Sequence, residues 1–427
     1  MSLSSNFKSF ILIALAFNLG ACSYLLPTTT PNLGGLLVDR GDTRPFEKPL
    51  PINTQPKRLA LGHSFAVGIK EDGTVWSWGY GMLGLGKFEN RPHPQAIPNM
   101  TDFVEVALSS EHVLALRKDG TVWAWGNNEK GQLGYKVEGL PYGEPPNIRF
   151  SKNQLTPKQI PDLKDIVSIS AGGDESYALD KQGNVYQWGL KELSRDRKHD
   201  VLIRAPQHIY HHADAVRVFS NGALMVLTRD GKVKVLTSRP DVWLPIAIKM
   251  TETAEAVLPN QTVYELKLPR PVVDTGSARW CSYFLLNDGS VWAIGDNKDG
   301  GLGQGDLSQY QGLVKVKNIG RITQLAGNEA AAIDEKNNLW LWGSNIYWRP
   351  ALDAANNNKE SYPIRVSMPA PIKFITGSMA IAIGLEDGRV LFMQEDLAGI
   401  RGTGKPSRSP QTTELLMTRE KSLWTWK

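Results

Sequence analysis

Cysteine is nearly absent: the 427 residues hold two, Cys22 and Cys281. At most one disulfide is available, so no disulfide framework holds this fold. Cys281 lies seven residues before Asp288, in a stretch that reads as the strand ahead of a turn. That setting suits a small buried hydrophobe better than a nucleophile. Membrane-spanning length is missing too: the apolar run Phe10 to Phe17 is too short to cross a bilayer. Neither charge sign dominates, with 48 Lys and Arg against 43 Asp and Glu. The net +5 has no basic block behind it, which argues against a nucleic-acid partner. There is no glycine-rich phosphate loop ending in Lys-Ser/Thr and no nucleophile elbow. His208, His211 and His212 lie near Asp214 between repeat units and read as a surface cluster rather than a metal site. The stretch Asp296 to Gly300 resembles a calcium loop only at a glance, because Lys298 and Gly300 stand where oxygen ligands are needed. The chain therefore reads as a non-enzyme without cofactor or metal.

What the sequence has is repetition. Asp119 to Gly134 reads DGTVWAWGNNEKGQLG, and Asp288 to Gly303 reads DGSVWAIGDNKDGGLG without a gap. Asp72 to Trp78 is a third copy, DGTVWSW. Weaker copies begin at Gln182, Asp230, Lys336 and Asp387. The second positions, Gly73 to Gly388, step by 47, 63, 48, 58, 48 and 51 residues. An Asp-Gly pair between apolar runs signals a hairpin, since Gly takes positive φ at no steric cost. A period in this range signals an array of like units. Eight of the thirteen Trp residues sit inside the copies.

Each unit reads as four strands. In the second copy these are A, Phe103 to Leu108; B, Val113 to Leu116; C, Thr121 to Trp125; and D, near Pro157 to Ile160. The same order fits Arg58 to Leu61, Phe65 to Ile69 and Val75 to Trp78, and again Ile166 to Ile169, Tyr177 to Leu179 and Val185 to Trp188. Alternation puts Val122 and Ala124 on one face and Trp123 and Trp125 on the other. Such a sheet cannot satisfy both faces in water alone, but radial packing buries both. The expected fold is all-β: a seven-bladed propeller of four-stranded antiparallel blades.

These residues resemble the regulator-of-chromosome-condensation repeat family, whose hallmark is a turn, a strand ending Trp-Gly, an Asn, then Gly-Gln-Leu-Gly. The second and fifth copies match best. The first keeps Gly81-Met82-Leu83-Gly84 after a shortened loop, and the seventh replaces both Trp with Leu391 and Met393. The resemblance covers about residues 49 to 404 and implies the propeller; it says little about function. An open ring would expose two sheet edges. Pro49 to Ile52 reads as a D strand placed to complete the seventh blade, and Glu414 to Trp426 as a hairpin that closes the ring, covers an edge or begins a partial eighth blade.

The first residues carry one charge, Lys8, then the apolar run, then Leu19-Gly20-Ala21-Cys22. This has the layout of a secretory signal, and its end resembles the lipobox of bacterial lipoproteins. The resemblance implies cleavage before Cys22, a diacylglyceryl thioether on its sulfur and an acylated amine such as a palmitoyl amide. Several chains give stable anchoring. The expected layout is a lipoprotein signal peptide over 1–21, a flexible tether over 22–48, and a propeller with its closing hairpin over 49–427. Ser23 rather than Asp after the cysteine implies, in a Gram-negative cell, the outer membrane.

Strand order places the variable A–B and C–D loops on one rim. That rim offers His63 and Tyr80; Glu111, Asn127 and Asn128; Asp174, Glu175 and Lys191; Arg279, Trp280, Asp296 and Asn297; and Glu329, Tyr347 and Trp348. Mixed charge with aromatics suits protein recognition. Long insertions at Tyr135 to Asn153 and Thr237 to Thr262 add surface where binding tends to sit. The leading reading is a lipid-anchored cell-envelope propeller that binds, or inhibits, a protein partner. A glycan-binding or glycan-cleaving envelope protein is the alternative. A guanine nucleotide exchange role, as in the family's eukaryotic namesake, is the third, disfavoured by the lipobox.

Overall fold

The computed structural model describes residues 36–37 and 48–393, apart from 63, 110, 138–151, 192–199, 238–250, 253–261, 279–280, 311, 328–329, 344–359, 367 and 378–380. These residues form antiparallel sheets and no helix. Seven hairpin-connected sheets make a seven-bladed propeller within the unit Leu37–Lys427. The first blade runs Leu59–Leu61, Phe65–Ile69, Val75–Met82 and Phe88–Ala96 from inner to outer edge. The second is Phe103–Leu108, His112–Arg117, Val122–Asn127 and Asn153–Gln159, close to the expected A to D. In the fourth blade Thr251–Glu252 pairs outside Thr262–Glu265 as a fifth strand.

Every B–C turn is set by local chemistry. In Asp119-Gly120-Thr121 the carboxylate accepts the Thr121 N–H at 3.0 Å and its hydroxyl at 2.6 Å, and Gly120 takes φ +82°. Asp72 with Thr74 and Asp288 with Ser290 repeat this geometry. The sixth turn has Asn337 in the same left-handed region, φ +64°. Asn is among the few side chains that tolerate it.

The glycine motif is explained by what packs on it. In the second and fifth blades Leu133 and Leu302 are fully buried, and Asn128 and Asn297 accept their N–H groups at 2.9 and 3.0 Å. The motif's last glycine, Gly134, has φ +74°, and a Cβ there would lie 3.0 Å from the indole Nε1 of Trp188 in the next blade. The Trp-Gly glycine faces a similar constraint: a Cβ on Gly126 would stand 2.4 Å from the Glu111 carbonyl oxygen.

The expected alternation of faces is observed. Trp125 packs into a cluster with Phe65, Val67 and Ile69 of the first blade, while Val122 and Ala124 join Ile166, Ala178 and Trp188 of the third. The ring closes where Leu59, Leu61 and Trp78 of the first blade pack with Ala382 and Val390 of the seventh. Thr376 Oγ1 donates to the Leu59 carbonyl across this joint at 3.2 Å.

One expectation is corrected. Pro49 to Ile52 is not a strand of the seventh blade, whose described strands are Ile372–Gly377, Ile381–Leu385 and Val390–Met393. Leu50 and Ile52 instead pack on the fifth blade's core. Their segment is tied by Leu50 N–H to the Asn287 carbonyl at 2.9 Å and by Asn53 N–H to the Val273 carbonyl at 2.6 Å. A Pro-led extended run is compatible with both placements, and apolar burial decides between them. The signal peptide, most of the tether and the hairpin Glu414 to Trp426 lie outside the described residues.

Candidate functional site

Two regions merit description: the rim singled out in the sequence and the hub of the ring. On the rim, Asn128 and Asn297 are buried and spend both ends of their amides inside their own loops; Asn128 donates to the Tyr135 carbonyl at 2.8 Å, and Asn297 to the Asp306 and Ser308 carbonyls. Asn127 donates to Glu111 at 2.6 Å and caps the Glu129 N–H. Asp296 accepts from Lys298 and Gln309. Glu175 accepts the Tyr177 hydroxyl at 2.7 Å and the Gln187 amide at 3.0 Å. Lys191 is buried beside them, and desolvation lowers its pKa from the usual lysine value. The Asp174 carbonyl accepts the Leu190 N–H. Tyr80 differs from these: it is 48% exposed and stands edge-on to Phe88, ring centroids 5.0 Å apart. His63, Arg279, Trp280, Glu329, Tyr347 and Trp348 lie outside the described residues, as does Cys22.

The other features singled out in the sequence fall into place. His208 and His211 sit on the outer strand Val201–His211, and no group of three or more His, Cys, Asp or Glu among the described residues is placed to hold a metal. Cys281 is buried and donates to the Asp296 carbonyl at 3.1 Å; burial pushes its thiol up to about 12.

The hub was not legible as a site from sequence patterns. Residues of all seven blades line a small central cavity of about 70 Å³, open to solvent. In blades two to seven the inner strand carries a register shift near its start, between Phe103/Glu105, Ile166/Ser168, Ala215/Arg217, Val272/Asp274, Ile322/Gln324 and Ile372/Phe374. A bulge re-aims the residue that follows it. Those third positions include the buried Glu105, Ser168, Arg217 and Asp274. They buckle neighbouring blades together. The Glu105 carboxylate accepts the Ile169 N–H, Ser168 Oγ accepts the Val218 N–H at 3.3 Å, and Asp274 accepts the Leu325 N–H at 3.2 Å.

The segment before the first blade crosses this hub. Arg217 Nη1 donates to the Asn53 carbonyl at 3.4 Å and to Asp274 Oδ1 at 3.3 Å. The Lys57 carbonyl accepts the Val106 N–H at 2.8 Å, and the Lys57 N–H bonds to the Glu105 carboxylate. The Lys57 ammonium reaches the sixth blade, 3.1 Å from where a Cβ on Gly327 would stand. Burial lowers the Lys57 pKa to about 8, with Arg217 adding to the fall, and burial raises Glu105 to about 7. Strongly shifted groups gathered at a cavity mark a site worth testing. The sequence signal was a lone charge inside an apolar triplet: Val-Glu-Val at 104–106 and Val-Arg-Val at 216–218.

Residues 72–116 and 119–179 match the regulator of chromosome condensation (RCC1) repeat, and residues 103–132 match a second description of it. The matched stretch runs from the first blade into the third. The regulator of chromosome condensation of Mus musculus is 28% identical over 152 residues, a match that spans 35% of this chain and 35% of that protein. Yeast RCC1 (Prp20), solved bound to Kap60, superposes with a TM-score of 0.61 at 17% identity, over 91% of this chain and 90% of that one. Prp20p of Saccharomyces cerevisiae gives 0.59 at 16% identity, over 86% and 88%. Human WBSCR16 gives 0.56 at 20% identity, over 77% and 85%. These likenesses show a shared RCC1-type propeller fold.

Proposed function

We propose that this RCC1-repeat propeller is a non-catalytic protein-interaction module, or an inhibitor of its partner, held at a bacterial cell envelope through lipid on Cys22. The observation that carries the interaction reading is Tyr80. A large aromatic ring, 48% exposed and braced by Phe88, is a preorganised anchor of the kind that dominates protein interfaces. It stands on a strand, Val75–Met82, that runs four residues beyond Trp78 onto the C–D rim. Most other described polar groups of that rim are spent on their own loops. Protein contact is a use this fold serves elsewhere: yeast RCC1 is solved bound to Kap60, and Prp20p has binding properties to Gsp1p and histones.

The anchor reading rests on Leu19-Gly20-Ala21-Cys22. Metabolic labelling with palmitate tests it. Label in the wild-type chain and none in Cys22→Ala is expected; equal label in both, or none in either, sinks it. The interaction reading is separate. It fails if the full chain, crosslinked in cells from the Tyr80 rim, yields no discrete adduct. An exchange-factor role in the cytosol conflicts with a lipidated Cys22 and is not adopted.

A further inference from the structure

The third blade ends in the longest strand described, Val201–His211, and nothing among the described residues pairs with its outer edge. The neighbouring edges are managed. Thr251–Glu252 covers the fourth blade's outer strand, and Pro92, Pro94 and Pro157 interrupt those of the first and second. The third keeps five residues, Val201 to Ala205, ahead of its one proline, Pro206. Two of the six exposed large hydrophobic side chains among the described residues stand there side by side: Val201 is 45% and Leu202 42% exposed.

One hydrogen bond fixes which backbone groups face out. The Leu190 N–H donates inward, to the Asp174 carbonyl at 3.0 Å. Leu190 is the partner of Leu202, so the bonds to the outer strand come from Gly189 and Lys191, opposite Ile203 and Val201. The N–H and C=O of Leu202 therefore point out of the edge. The Asp200 C=O and the Arg204 N–H do the same, because each shares a planar trans peptide with an inward group of Val201 or Ile203. By alternation Asp200, Leu202 and Arg204 also share one face of the sheet. Ile203, between them, is buried on the other face against Leu133 and Tyr135 of the second blade. This pattern complements itself. A second copy laid antiparallel and centred on Leu202 sets Leu202 against Leu202 and each Asp200 against the Arg204 of the other copy. Four backbone hydrogen bonds close between them. Centring on Arg204 would set two guanidinium groups face to face.

We propose that this edge is a two-fold homodimer contact, in which two third blades join into one antiparallel sheet through Asp200 to Arg204. Every unlike pair is made twice, as an isologous contact requires. Five residues a side are far fewer than the roughly 20 to 30 of a standard interface, so the dimer is weak, with a dissociation constant on the order of 10 μM. The Tyr80 rim and the lipid anchor play no part in it.

Sedimentation velocity on the full chain in density-matched detergent, over about 1 to 100 μM, tests this. A monomer–dimer equilibrium that depends on concentration is expected. Arg204→Asp is expected to weaken it about tenfold or more, because two ion pairs become two like-charge pairs, and Asp200→Arg likewise. The two changes together are expected to restore it to within about threefold, since the pairs re-form with their signs exchanged. Leu202→Lys, which leaves both charges in place, is expected to abolish it. A dimer indifferent to Arg204→Asp, or one that the double exchange fails to restore, overturns the proposal. So does a monomer at every concentration, whether its Leu202 amide exchanges freely or is protected by another segment of the same chain.

Discussion

The indole N–H of Trp188 donates to the backbone carbonyl of Gln132 at 2.9 Å, joining the third blade to the glycine loop of the second. The same carbonyl accepts the Ser176 hydroxyl at 2.8 Å. One copy of the joint recurs around the ring, where Trp342 of the sixth blade donates to the Gly301 carbonyl of the fifth at 3.0 Å. Gln132 and Gly301 hold the same place in their motifs, so the repeat is a docking device between blades as much as a turn. Trp125 lacks this bond: its indole nitrogen is buried with no partner among the described residues, next to the first blade's shortened loop.

Trp188→Phe is therefore expected to lower stability more than Trp125→Phe. Both lose similar packing. Only the first loses a hydrogen bond, worth about 1 kcal/mol. Urea titrations of the two variants against wild type give the difference; equal losses contradict it.

Gly134→Ala is expected to cost more than Gly388→Ala. Both glycines have positive φ, +74° and +89°, so backbone strain is common to both. A Cβ at Gly134 also meets Trp188, whereas one at Gly388 meets nothing within 4 Å. The excess is about 1 kcal/mol or more, as expected for overpacking, and thermal melts read it.

His112 makes stability depend on acid. It is fully buried, and desolvation lowers its pKa to about 3. Ser176 donates to Gln132, so its oxygen accepts from His112 at 2.8 Å and the neutral ring carries its proton on Nε2. The folded pKa lies below the unfolded value of about 6.5. Its contribution is thus complete above pH 6.5 and is lost as pH falls toward 3. His112→Gln is expected to flatten the stability slope over that window, whatever its effect at pH 7.

Glu105 has the opposite sign. Burial raises its pKa to about 7, above the unfolded value, so its contribution is complete below about pH 4.5 and is lost as pH rises to about 7. Glu105→Gln is expected to gain on wild type between pH 4.5 and 7 by about 1 to 3 kcal/mol, measured as the change in their difference. A constant difference across that window contradicts the burial of this carboxylate.

The blades were legible because each is written locally: Asp119-Gly120 makes its own turn, and Val122 alternating with Trp123 declares two buried faces. The observed B and C strands of the first three blades lie within a few residues of the expected ones. Pro49 to Ile52 was misplaced because an extended apolar segment carries no address. Only tertiary contact with Val273 and Asn287 chooses its blade. The hub escaped notice for a related reason. Lys57, Glu105, Arg217 and Asp274 are scattered over more than two hundred residues and meet only because seven inner strands converge. On the rim, strand order located Tyr80 but did not show that Asn128 and Asn297 face inward.

Ring closure rests on the first and seventh blades, not on a shared fourth strand among the described residues. Trp78 is 1% exposed at that joint. Trp78→Ala is expected to cost about 3 to 5 kcal/mol. Limited proteolysis should then cut first within blades one and seven; cleavage confined to blades three to five contradicts that weak point.

The most direct test of the interaction role is site-specific photocrosslinking in living cells, with the crosslinker at Tyr80 on one rim and, in a second strain, at Asp119 on the opposite rim. The expected result is one discrete adduct from position 80 that is absent from position 119 and lost when Phe88 is changed to Ala. Identical adduct patterns from both rims, or none from position 80, contradict it.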